Sequence, residues 1–203
     1  YLQASGLDVK FSVVGFSVSG DINGGINFTN TQALSTYLNR ETGTYRTEGF
    51  FFFFSAALAN RAYTFGYAGN ENGVMAALFA DSVYSWRSGA QRVMIMFTDE
   101  ATQHDGVSWT NAIGCGLLGG KATVHTVFSG DTTYYNSTYW GMYDEEPAAI
   151  SRCTGGTIKY IPEDATGLDL KDLPVAGALA NSYLVEFVTA RTGVVHTVKV
   201  TVY

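Results

Sequence analysis

R-V-M-I-M-F-T-D, residues Arg92–Asp99, is followed by the loop E-A-T-Q-H-D-G, Glu100–Gly106. A nearly continuous apolar run of β-branched, Met and Phe residues marks a central strand of a parallel sheet, covered on both faces. The run ends on an aspartate, with Glu100, His104 and Asp105 close behind. Ligands of open α/β sheets gather at the carboxyl ends of such strands. Asp99 is therefore the first candidate functional residue.

Strands and helices alternate on either side of this run. Asp8–Phe16 (D-V-K-F-S-V-V-G-F) reads as a strand, and the turn-rich S-G-D-I-N-G-G follows it. Thr31–Arg40 reads as a short helix with Leu34, Tyr37 and Leu38 on one face. Thr42–Tyr67 is rich in Gly, Phe and Tyr and has no clean period. Gly73–Trp86 has the spacing of an amphipathic helix, carried by Met75, Leu78, Phe79, Ser82, Val83 and Trp86. Ser108–Leu118 predicts a helix stopped by Gly119-Gly120, and Ala122–Phe128 the next strand. Glu146–Cys153 reads as a helix and Thr157–Ile161 as a strand. This alternation implies βαβ units with right-handed crossovers. Beyond Pro162 an acidic linker-like stretch leads to Ser182–Thr189 and Val194–Val202, which alternate apolar with polar residues. The A-R-T-G turn between them makes a β-hairpin, part of an antiparallel β-sandwich.

Composition narrows the function classes. The 203 residues are 46% hydrophobic and 15% charged, with a formal net charge of −6. That balance disfavours disorder and nucleic-acid binding, since phosphates need Lys and Arg. No apolar run approaches the roughly 20 residues that span a bilayer, and Phe50–Phe54 is far shorter. The opening Y-L-Q-A-S-G lacks the regions of a signal peptide, so any such leader would already be removed. Two sequons, at Asn27 and Asn136, are glycosylation candidates. Cys115 and Cys153 both fall in segments that read as helical. They form either a disulfide in an oxidising, extracellular compartment or two buried thiols in a cytosolic domain, and the first is favoured.

The runs G-N-E-N-G-V-M-A-A-L and W-R-S-G-A-Q-R-V-M-I-M-F-T-D-E resemble the middle of a von Willebrand factor A domain. A-T-V-H-T-V-F and S-R-C-T-G-G-T-I-K-Y-I are similar to its last two strands, and D-V-K-F-S-V-V-G-F to its second. The resemblance covers residues 1–162, with an insertion-like patch at Thr42–Ala68, and leaves 163–203 as linker and hairpin. It implies an α/β, Rossmann-type, mostly parallel sheet flanked by helices. It also implies a divalent-cation site at the carboxyl end of that sheet, to which Asp99 and Glu71 would contribute. A site of oxygen ligands suits Mg2+ or Ca2+.

The chain departs from that family at one place. It contains no D-x-S-x-S, and the first strand that should carry it, the central one, is missing. Such a sheet would expose two long unpaired edges. The strand is carried by an unrecorded N-terminal segment, or another chain donates it, or the domain is a self-contained α/β unit of another kind. No H-E-x-x-H, G-x-S-x-G or Walker A loop occurs, so no catalytic role is expected. His104 reads as a solvated loop residue, and His125 and His196 as packing or surface residues. Two functions remain: an extracellular adhesion or protein-binding module using a divalent cation, or a structural subunit of a surface filament completed by neighbouring strands. Partners are expected to be protein ligands or neighbouring subunits, without nucleic acid or a membrane span.

Overall fold

The structure is a computed structural model that describes residues 8–16, 20–39, 56–68, 70–130 and 143–175. The predicted hairpin at 182–202, Phe50–Phe54 and Asn136 lie outside the described residues. Strands β1 (Phe11–Phe16) and β2 (Ile22–Thr29) pair antiparallel. Helices α1 (Thr31–Leu38), α2 (Ala56–Phe65) and α3 (Gly73–Val83) follow. Then come β3 (Arg92–Thr98), the short β4 (Thr102–Gln103), α4 (Asn111–Leu118) and β5 (Ala122–Phe128). The two-residue β6 (Asp144–Glu145), α5 (Ala149–Thr154) and β7 (Ile158–Tyr160) complete the order. Strands β3, β5 and β7 form a parallel sheet flanked by helices, so the architecture is α/β as the alternation predicts.

Strand β2 corrects the sequence reading, which took its first residues for a turn. Gly25 is there for close approach. A Cβ on Gly25 would lie 2.6 Å from the Val13 carbonyl oxygen and would also meet the Tyr84 hydroxyl. That hydroxyl donates to the same carbonyl at 2.5 Å, tying β1 to the end of α3. Helix α2 emerges from the stretch that had no clean period.

Helix α3 is also shorter and deeper than its pattern suggested. It stops at Val83, with Tyr84 in extended conformation, and every residue from Gly73 to Asp81 is buried. A helix that is apolar all round is a core helix. Its Ala and Gly residues let the strands approach on one side, while Met75 and Phe79 pack with Ile22, Leu58 and Tyr84 on another. Trp86, predicted to continue the helix, instead folds back, donating from Nε1 to the Ala80 carbonyl at 2.9 Å. Buried Asp81 takes both Arg92 and Lys121, which stand at the starts of β3 and β5.

Helix α5 begins later than predicted because Pro147 and Ala148 form a turn ahead of it. It ends on Gly155 at φ +75°, the left-handed conformation that favours glycine. A disulfide joins Cys115 of α4 to Cys153 of α5. Gly114 lets the same two helices and α3 close up: a Cβ there would lie 2.7 Å from Val74 and 2.8 Å from Ile150.

Candidate functional site

The carboxyl end of β3 carries the predicted acidic residues. Thr98 closes the strand with a local turn, its hydroxyl accepting from Glu100 N–H and donating to the Glu100 carbonyl, both at 3.2 Å. The Asp99 carbonyl lies against Gly130, where a side chain would collide with it. Glu71 sits just ahead of α3, and its backbone is clasped by Gln103. Gln103 N–H donates to the Glu71 carbonyl at 2.9 Å, and Glu71 N–H donates to Gln103 Oε1 at 3.2 Å. Partial burial and the negative charges of Asp99 and Glu100 hold the Glu71 carboxyl above the usual carboxylate range. The fold thus brings Glu71, Asp99 and Glu100 to one end of the sheet, within electrostatic reach of each other.

The neighbouring loop is built by residues whose importance was not foreseen. Asn72 is fully buried; its Oδ1 caps α3 through Met75 N–H at 2.7 Å, and its Nδ2 donates to the carbonyls of Gln103 (2.7 Å) and Trp109 (3.0 Å). An Asn directly before G-V-M-A-A-L is a helix-start signal, which could have flagged the cap but not the two carbonyls. His104 is not a solvated residue: its side chain is largely buried, its Nδ1 accepts from Gly106 N–H at 2.9 Å, and its ring meets Tyr143 edge-on. Asp105 turns inward on its own loop, accepting from Val107 and Ser108 N–H, and these bonds lower its pKa. His104 and Asp105 thus each bond within their own loop, and His104 Nε2 also lies 3.9 Å from Glu145 Oε1. Thr102 Oγ1 and Asn111 Oδ1 are buried nearby without hydrogen-bond partners among the described residues.

Whether these groups suit a metal depends on donor count. Among the described residues, no group of three or more His, Cys, Asp or Glu side chains is arranged to hold an ion. Glu71 and Asp99 could supply two carboxylates, and an oxygen-loving cation would need the rest of its shell from water or a partner. Asn27, a glycosylation candidate on β2, has its amide engaged with Ser85 beyond the end of α3: Nδ2 donates to Ser85 Oγ at 3.3 Å, and Oδ1 accepts from Ser85 N–H at 3.2 Å. His125 is buried in β5, its Nδ1 accepting from Thr157 N–H at 3.1 Å, as a packing role requires.

A second feature lies along the strands. A groove of about 630 Å³ runs between β1 and β3. Among the described residues, β1 pairs only with β2 and β3 only with β5, so the edges facing the groove carry unpaired backbone groups. Among the described residues no helix is long and apolar enough to cross a membrane. No family model, no curated protein and no solved structure matches this chain.

Proposed function

We propose that the chain is an extracellular protein-binding module with a von Willebrand A-like sheet, using Glu71 and Asp99 to offer two carboxylates to Mg2+ or Ca2+. Support comes from the order of strands and helices from β1 to β7, which follows the order of that family, and from the parallel β3-β5-β7 sheet. The Cys115–Cys153 disulfide favours an oxidising compartment. The observation that carries the reading is the convergence of Glu71 with Asp99 and Glu100 at the carboxyl end of β3, where partial burial first, and the charges of Asp99 and Glu100 second, raise the Glu71 pKa. A cation there relieves this repulsion and leaves coordination positions for an acidic group of the partner.

Thermal unfolding with Mg2+ or Ca2+ against EDTA tests the reading. At a cation concentration a hundredfold above Kd, the folded state gains about 2.7 kcal/mol. Asp99→Asn should abolish that response while slightly stabilising the cation-free protein, because one repelling charge is gone. Identical melting of the native protein in EDTA and in cation would sink it. A second reading is favoured by the groove: a structural subunit of a surface assembly whose sheet is completed by a neighbour's strand.

A further inference from the structure

We propose that the groove between β1 and β3 receives one extended apolar segment of a partner polypeptide, seated as a strand parallel to β3, acidic at its amino end and basic at its carboxyl end. The proposal rests on the second reading above and needs no cation.

The two groove edges run the same way. Arg87, in the approach to β3, forms an ion pair with Asp8, just before β1, and its Nη2 donates to the Asp8 carbonyl at 2.6 Å. The starts of both strands therefore stand at the same mouth of the groove. Strands β1 and β3 have six and seven residues, so a matching strand would be about 20 Å long at roughly 3.3 Å per residue. Natural sheets protect open edges with charge, proline or a covering element. Neither Ser12–Val14 nor Val93–Phe97 contains a charged residue or proline. Phe97 is 48% exposed at the far mouth.

The walls dictate what fits. The floor is formed by Ala76, Ala77 and Ala80 of α3, whose side chains end at a single methyl group, while Gly73 is covered by the Met96 side chain. Leu34 and Leu38 of α1 and Val175 add apolar surface. A strand with apolar surface on both sides must itself be apolar on both faces, unlike the alternating strand of a half-exposed sheet. Charge then sets its direction. Lys10 stands at the starting mouth with no ion pair among the described residues. Glu71, Asp99 and Glu100 gather beyond the carboxyl end of β3, likewise without an ion pair among the described residues. A strand parallel to β3 meets Lys10 with its amino end and the three carboxylates with its carboxyl end. Main-chain pairing supplies affinity, and the end charges supply orientation.

Two synthetic peptides test this on the full chain. Both hold the same run of valine, isoleucine and leucine; one has glutamates before it and lysines after it, and the other has these charges exchanged. The first should bind saturably, raise Tm and slow amide exchange at Val93–Phe97, and the second should bind at least about tenfold more weakly. Ala76→Met, which fills the groove from its floor, should keep a cooperative melt and lose the first peptide. Three results would overturn the proposal. One is equal binding of the two peptides, or none. Another is undiminished binding by the folded Ala76→Met variant. The third is protection of Val93–Phe97 before any peptide is added, which would mean that the chain itself or a second copy, separable by sedimentation velocity, already fills the groove. Cation response is read in a separate titration, so either idea can fail alone.

Discussion

Asn72 shows how much one side chain can carry. It is a helix cap and also the donor to two loop carbonyls. Asn72→Ala loses a cap worth about 1 kcal/mol and strips buried carbonyls of donors, at about 1–3 kcal/mol. The variant should fall by about 3 kcal/mol in urea unfolding, with faster exchange in the Gln103–Trp109 loop. His125 adds a pH dependence. Burial pushes its pKa down, and Thr157 donates to Nδ1, so the folded ring stays neutral. As the pH falls below the ordinary histidine value of 6.5, the unfolded chain takes a proton that the folded one refuses. Its contribution is complete above that value and lost below it. Urea midpoints should fall between pH 7.5 and 5.5, and His125→Leu should flatten that slope. The positions of Asp99 after a strand and of Glu71 before a helix were legible because strand ends and helix starts are local signals. The bonds of Asn72 and the burial of His104 depend on residues tens of positions away, which local pattern does not reach.

Helices α4 and α5 depend on their covalent link. Cys115 and Cys153 are 38 residues apart, and closing a loop of that length in the unfolded chain is worth about 4 kcal/mol in the loop-entropy account. Replacing both cysteines with serine should lower unfolding stability by up to about that amount, and a reductant should do the same to the native chain. An unchanged urea midpoint in reductant would show the bond to be absent in solution. Elements were legible where period was clear: β3, α4 and β5 stand close to their predicted bounds. Strand β2 was hidden because its glycines signal a turn, whereas here Gly25 admits the Tyr84 hydroxyl and the β1 backbone. The α3 pattern identified a helix but understated its burial, because Ala76, Ala77 and Ala80 are small and weakly patterned rather than solvated.

At the scale of the molecule, alternation of strands and helices announced an α/β sheet. The groove's width and walls were not legible, since they arise from where β1, α3 and β3 come to rest. The β3-β5 pair raises a different question, that of register. Antiparallel partners inherit their alignment from a tight turn, but parallel partners are joined by a long crossover that leaves the alignment free. A slip of one residue would turn every side chain of a strand to the opposite face. Arg92 stands opposite Ala122, directly after Lys121. Asp81 grips both cations, so it acts as a common zero mark from which both strands are measured. A slip in either would draw one cation away from a buried carboxylate, and the sheet keeps its count from there.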